Sequence, residues 1–326
     1  MDNFSYTQAT STKEAATAAQ GDKNAAFISG GTSLIDLMKS NIEHHSLLVD
    51  LNKLSLLGIE NAATGLRIGA LERMSDVGEN PQVVQNYPVV SEALLASASP
   101  QLRNMASMGG NLLQRTRCGY FRDTAFPCNK RVPGSGCPAQ EGDNRTLAIL
   151  GGSTSCIATH ASDLCVALVA LDTKLTIENA KGQPRSVLLA DFYKLPGKTP
   201  HIENQLQPGD IITAINIPAA AHARKSHYLK VRDRASYAYA LVSAAVGLDV
   251  QGGTIRSARV ALGGVGTVPW RVPAVEKALV GKAPTEENFR AAAALAVRDA
   301  APREHNKFKV ELAQRTIVRA LLEVAA

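Results

Sequence analysis

The feature that most limits how this chain can fold is the stretch from residue 117 to 137, RCGYFRDTAFPCNKRVPGSGC, with three cysteines, four cationic residues, three glycines and two prolines. It shows neither the 3.6-residue period of a helix nor the alternation of a strand, so it is an irregular excursion between ordered segments. Size does not explain the thiols. A chain of 326 residues can bury two or three cores without disulfide staples. No run approaches the roughly 18 apolar residues of a membrane span, and the chain reads as a soluble protein. Its first twenty residues, MDNFSYTQATSTKEAATAAQ, lack a basic segment followed by an apolar run, so the expectation is no secretory signal of its own and folding in a reducing cytosol. The formal charge of +6 is spread along the sequence, apart from RTR, NKR and KVRDR, and aromatics are only 5%. Nothing there motivates nucleic-acid binding.

The first 55 residues read as strand, helix, strand: AAFI (25–28), SLIDLMKS (33–40) and SLLVDL, with SGGTS between the first two. LRIGAL (66–71) predicts a strand, and residues 88–98 are helical. Ordered pattern returns after the cysteine-rich excursion at TLAILGG and SCIAT. An apolar helix, SDLCVALVALD, follows with Ser162 as N-cap. Strands are expected at KLTIEN, RSVLLADF and DIITAINIP, with a turn at NAKGQP. Residues 218–226, PAAAHARKS, lack apolar periodicity and read as a linker. Beyond them come strands HYLKV, YALVSAAVGLDV and TIRSARVAL, then helices near 273–280, 285–300 and 308–325. Strands followed by helices indicate a separate α+β domain.

Cys118, Cys128, Cys137 and Cys156 are spaced C-x9-C-x8-C-x18-C, whereas Cys165 falls inside the apolar helix as a small core residue. A set of thiolates needs glycines and prolines to wrap it and cations to offset its charge, and the stretch supplies both. The spacing is open to a metal or cluster, to disulfides or to unrelated thiols. Without the tight knuckles of a zinc site, it favours iron and sulfide. FISGGTSL, with Gly30 and Gly31, places successive backbone N–H groups after a strand and before a helix, as an anionic cofactor requires. SMGGNLLQ repeats the device at Gly109 and Gly110, with Ser107 and Asn111 as polar partners. Two such nests suit a diphosphate held between two subdomains. The spacing is neither G-x-G-x-x-G nor a P-loop. Asp163, in the first turn of a helix, reads either as a helix-dipole residue or as a hydrogen-bond partner of a ribose hydroxyl. Lys230 reads as a solvated edge lysine. His44, His45 and His160 have no partner spacing, GGVG (263–266) reads as a turn and Trp270 as packing. Neither G-x-S-x-G nor H-E-x-x-H occurs.

FISGGTSLIDLMK, SASPQLRNMASMGGNLLQ, CIATHASDLCVALVALD, PGKTPHIE, PGDIITAINIP, YLKVRDRASYAYALVSAAVGL and ALGGVGTVPWR, in this order, resemble the FAD-binding medium subunit of the xanthine dehydrogenase and aldehyde oxidoreductase family of molybdenum hydroxylases, over essentially the whole chain. The insert, with TRCGYFRD, PCNKRVPGSGC and SCIATHASDL, is most similar to the flavin subunit of heterotrimeric, periplasmic bacterial aldehyde oxidoreductases, which holds a [4Fe-4S] cluster there. The 4-hydroxybenzoyl-CoA reductase flavin subunit carries a comparable insert. The resemblance implies an α+β fold: a two-subdomain FAD-binding (PCMH/VAO-like) domain, residues 1–55 and 56–220, the latter with an insert at about 114–156, then a CO-dehydrogenase-flavoprotein-like α+β domain over 221–326. It implies that Ile28, Ser29, Gly30, Gly31, Thr32, Ser33 and Leu34 hold the FAD diphosphate and ribityl chain, with Ser107, Gly110 and Asn111 closing over it. Asp163 would bind a ribose or ribityl hydroxyl, Ile212 and Lys230 would flank the flavin ring, and Cys118, Cys128, Cys137 and Cys156 would ligate the cluster. Ser29 departs from an alanine common in the family, and Cys165 from a small apolar residue. The implied function is electron transfer, with no catalytic residue for aldehyde oxidation in this chain. A large partner would carry a molybdenum pterin, a small partner two [2Fe-2S] clusters, and FAD would pass electrons to an external acceptor. Periplasmic location would follow from co-export with a partner bearing a twin-arginine signal. Two rival readings remain: a zinc-stabilised docking module and a flavin oxidase acting alone.

Overall fold

A computed structural model describes residues 1–326. Twelve strands form three sheets. β1 (Ser5–Gln8), β2 (Ala25–Ile28) and β3 (Leu47–Asp50) make a parallel sheet in the order β1-β3-β2. Each crossover is a helix, Thr12–Gly21 and then Leu34–Lys39, as parallel pairing demands. Ser11 caps the first of these, its side chain accepting from Glu14 N. That helix and β1 escape the sequence reading because they are short and mostly polar on their outer faces.

The second sheet contains β4 (Ile59–Ala62), β5 (Gly65–Gly69), β6 (Lys174–Glu178), β7 (Pro184–Leu188) and β8 (Ile211–Pro218), in the order β4-β5-β8-β6-β7 and antiparallel throughout. The expected strand RSVLLADF ends at Leu188, and Leu189–Phe192 turn into a short helix that buries Leu189 and Phe192. The third sheet, also antiparallel, is formed by β9 (Ser226–Val231), β10 (Val242–Gln251), β11 (Thr254–Gly263) and β12 (Trp270–Arg271), with helices Pro273–Leu279, Glu286–Ala293 and Phe308–Ala325 on one face. The expected linker at 218–226 is not a loose tether. Ala221–Arg224 form a helical turn that buries His222 and Ala223, because Gly247 of β10 brings its backbone against the His222 carbonyl.

The helix Asp163–Ala170 joins the second and third sheets, and all eight of its residues are buried. A helix apolar all round has to be covered on every side. Here the helix Pro88–Leu95, the short helix Leu189–Phe192 and strands β10, β11 and β12 cover it. Cys165, fully buried, touches the Tyr193 hydroxyl at 3.0 Å, as a core residue and not a ligand. The insert packs Phe121, Ala139, Cys118 and Cys156 into a small core shared with Leu37 and Ile42 of the first subdomain.

Candidate functional site

The first glycine turn follows β2. A Cβ on Gly30 would lie 2.0 Å from the Met105 carbonyl oxygen, and Gly31 has φ +67°. The first position admits no side chain and the second favours none. The Gly30 N–H donates to Ser29 Oγ at 2.7 Å, and Asn52 Nδ2 donates to the Ser29 carbonyl at 3.0 Å. Ser107 caps the second turn, its Oγ accepting from Gly110 N at 3.2 Å. The two turns are tied directly: Ser29 Oγ and Ser107 Oγ share a hydrogen bond of 2.5 Å. Ser29 is thus one of the two residues that join them. Asn111 extends the link, its Oδ1 accepting from the Ser162 hydroxyl at 2.5 Å while Ser162 caps the 163–170 helix.

Ile28 through Leu34, Ser107, Gly110 and Asn111 line a chamber of about 250 Å³. Beside it lies a larger one, about 690 Å³, walled by Asp163, Lys230 and residues of the third sheet. Thr32, Asn111, Arg117 and Tyr239 belong to both walls, so the two make one cleft running from the glycine turns to the third sheet.

Asp163 and Lys230 meet in this cleft. Lys230 Nζ donates to Asp163 Oδ2 at 2.8 Å and to the Ala96 carbonyl at 3.1 Å, and the Tyr228 hydroxyl donates to Asp163 Oδ1 at 2.5 Å. Lys230 is only 4% exposed, so it is not a solvated edge lysine. Burial pushes the Asp163 carboxyl above its ordinary range, with Lys230 and Tyr228 pulling against it. Each carboxylate oxygen keeps a lone pair for a further donor. Ile212 lies elsewhere. Thr176 pairs with Ala214 and Ile177 with Ile212, so Thr213 is an extra residue in β8. That bulge turns Ile212 into the core with Ile215 and Ile217, and it lines neither chamber.

Cys118, Cys128, Cys137 and Cys156 surround one small cavity in the insert and form no disulfide. Burial raises Cys118 to about 11 and also raises Cys137 and Cys156. Backbone N–H groups work in the other direction, among them Ala158 N, which donates to Cys156 Sγ at 3.4 Å. Lys130 favours the Cys156 thiolate as well. No three cysteine, histidine or acidic side chains converge on a single-ion position. The donor chemistry fits a thiolate-bound cluster better than one zinc ion, which draws its sulfurs to about 2.3 Å. Cys118 also lines the large chamber.

An ion network anchors the insert. Arg115 donates to Glu43 (2.7 Å) and Glu203 (2.9 Å), and Lys130 to Glu203 (2.6 Å). Burial opposes the charge on both glutamates, yet His45 and Arg115 hold Glu43 below the usual carboxylate range, as Arg115 and Lys130 hold Glu203. Arg117 pairs with Asp36 at 3.2 Å and stacks over Tyr239 at 5.1 Å. Sequence reasoning passed over Arg117 and Tyr239 as cleft residues. Both lie in quoted motifs, but only folding brings residues 36, 117 and 239 together.

Two glycine turns locked to each other at the head of a long cleft running from the end of the first sheet to the third define a binder of an extended dinucleotide. Residues 2–220 match the FAD binding domain in molybdopterin dehydrogenase, and residues 227–324 the CO dehydrogenase flavoprotein C-terminal domain. The chain belongs to this family of FAD-binding subunits. It is 49% identical over 327 residues to the aldehyde oxidoreductase FAD-binding subunit PaoB of Escherichia coli (strain K12), covering 100% of this chain and 99% of that one. It is 29% identical to the glyceraldehyde dehydrogenase medium chain of Sulfolobus acidocaldarius, covering 86% and 82%. Among solved structures, quinoline 2-oxidoreductase from Pseudomonas putida 86 superposes with TM-score 0.77 at 26% identity, covering 99% of this chain and 97% of that one. Carbon monoxide dehydrogenase from Hydrogenophaga pseudoflava follows at 0.76 and 25%, with the same coverage.

Proposed function

We propose that this chain is the flavin electron-transfer subunit of a molybdenum-containing aldehyde oxidoreductase. The observation that carries this reading is identity of 49% across the full length to an aldehyde oxidoreductase FAD-binding subunit. A large partner with a molybdenum pterin oxidises the aldehyde to the acid with oxygen from water, releasing two electrons and two protons. A small partner with two [2Fe-2S] clusters relays the electrons, completing a heterotrimer. FAD held in this cleft would collect the two electrons one at a time and supply them to an external acceptor. This chain's own residues do the holding. The glycines at 30, 31 and 110 let the diphosphate approach the backbone closely beside the Ser29 and Ser107 hydroxyls, and Asn111 and Asp163 stand within the cleft for the hydroxyls beyond it. Lys230 places a positive charge where an anionic reduced ring would be stabilised.

The insert belongs to the same proposal: Cys118, Cys128, Cys137 and Cys156 hold a [4Fe-4S] cluster. Four unbridged cysteines around one cavity, ringed by backbone N–H groups and Lys130, support it. A comparable insert keeps a 4-hydroxybenzoyl-CoA reductase-like assembly as the second reading. The complex reaches the periplasm folded, by a signal on a partner. The test is co-purification with the partners, followed by counts of iron, sulfide, flavin and molybdenum and by aldehyde-dependent reduction of the flavin. Zinc without sulfide or flavin would establish the docking module instead, and turnover by the isolated chain would establish an oxidase.

A further inference from the structure

Most cations on the cleft wall are already committed. Lys230 is paired with Asp163, and Arg115 with Glu43 and Glu203. Arg234 folds back onto the carbonyls of Ser236 and Tyr237 in its own loop. Arg117 and Arg122 differ, because the only carboxylate either of them meets is Asp36, and they share it. All three residues line the large chamber, and Arg117 lines the smaller one as well. Two guanidinium groups against one carboxylate leave uncompensated positive charge at this point of the wall. Arg117 spends Nη1 on Asp36 and Arg122 spends Nη2, and the rest of each fork makes no hydrogen bond. Neither side chain is sealed away, Arg117 being 28% and Arg122 20% exposed.

The place of this charge is fixed from both sides. Asp36 stands on the helix Leu34–Lys39 that follows the Gly30–Gly31 turn, so pairing with it draws both arginines toward that turn. Thr32, next after the turn, lines both chambers with Arg117. On the insert side, Thr116 Oγ1 donates to the Thr159 carbonyl at 2.9 Å and accepts from Cys118 N at 3.3 Å, which holds the backbone around Arg117. Arg122 N donates to the Cys118 carbonyl at 3.1 Å and closes the single turn that carries it. The glycine turns themselves give close approach but little charge, since Ser29 takes the Gly30 N–H and Ser107 the Gly110 N–H. An arginine fork supplies what they lack, because its planar donors match phosphate oxygens and its charge is permanent.

We propose that Arg117 and Arg122 of the insert are the cationic side of the dinucleotide site: they neutralise the diphosphate at the Gly30–Gly31 turn, with Asp36 aiming both guanidinium groups. This rests on FAD occupying the cleft with its diphosphate at the glycine turns. The insert then has two tasks, enclosing the thiol cavity and closing the cofactor site, and Cys118, between the two arginines, lies on the wall common to both.

Titration of the flavin-free full-length chain with FAD over a series of potassium chloride concentrations, wild type against Arg117→Gln, tests it. Wild-type affinity is expected to fall as salt rises, because the pair is partly exposed and is screened. Arg117→Gln is expected to bind FAD about tenfold more weakly at low salt, the loss of one charge-assisted hydrogen bond, and to converge on the wild type at high salt. Unchanged FAD affinity overturns the proposal, and so does a loss of the same size at every salt concentration, which marks a packing role. In both cases FAD binding by the wild type leaves the cofactor assignment standing, whereas a wild-type chain that takes up no FAD removes that assignment and this proposal with it. If Arg117→Gln fails to fold, judged by far-ultraviolet circular dichroism, Arg122→Gln decides in the same titration with the same expectations.

Discussion

At Gly30 the margin is a single carbon. Its Cβ would meet a backbone oxygen, which cannot swing aside as a side chain would. Gly30→Ala is expected to cost about 1–3 kcal/mol of stability by overpacking and to purify without flavin, read by urea denaturation and by the ratio of flavin to protein absorbance. The buried pair Lys230–Asp163 makes a different claim. Lys230→Met strands a carboxylate in a buried site, and removing one partner of such a pair costs about 3–5 kcal/mol. The double variant Lys230→Met, Asp163→Asn is expected to recover part of that in the same denaturation assay, while the flavin potential stays altered. Asp163 and Lys230 were both readable as candidates, each from its own motif. That they bind each other was not readable, because residues 163 and 230 are brought together only when β9 packs beside the 163–170 helix.

Elements were most legible where local chemistry is strong. Ser162 caps the helix the sequence gives it, and the turns at NAKGQP and GGVG form where glycine permits a positive φ, at Gly182 and Gly264. Elements failed where packing overrides pattern, as at 218–226 and 189–192. The clasp between β9 and the last helix lies wholly in that second class. His227 Nδ1 is 2.8 Å from Glu92 and its Nε2 is 2.7 Å from Glu323, so one imidazole joins the helix Pro88–Leu95 to the helix Phe308–Ala325. The Glu92 hydrogen bond, with smaller help from Glu323, raises its pKa above the ordinary value. A group whose folded pKa is raised adds stability that is complete below its unfolded value, about 6.5, and is lost as pH rises through the folded value. The gap in thermal midpoint between wild type and His227→Gln is expected to be widest in mildly acidic buffer and to close in alkaline buffer.

Over the whole molecule, the cleft and the thiol cavity are neighbours that share anchors: Arg115 and Glu43, which with Glu203 and Lys130 hold the insert, also line the smaller chamber, and Arg117 of the insert pairs with Asp36 at the cleft. Cys128, however, lines the thiol cavity and neither chamber. Cys128→Ser is therefore expected to lose iron and sulfide but retain FAD, and to be cut faster by protease within 117–137, measured by metal and flavin content and by limited proteolysis. Loss of flavin together with iron would show that the shared wall at Cys118 couples the two sites more tightly than their anchors do.

By itself the sequence determined the local parts of this protein: a glycine turn at Gly30–Gly31 that only glycine can make, a capped apolar helix, and four cysteines along an excursion whose regular structure is confined to the single turns Gly119–Arg122 and Pro138–Gln140. These depend on the conformational freedom and period of a few adjacent residues, which a linear string carries. Tertiary structure alone decided that the turns share a hydroxyl bond through Ser29 and Ser107 and that a bulge removes Ile212 from the cleft. It also decided that a buried lysine and aspartate pair at the cleft wall, and that Asp36 gathers Arg117 and Arg122 of the insert onto that wall. Each of these is a meeting of residues far apart in sequence, fixed by strand register and close packing rather than by anything their neighbours in the chain could encode.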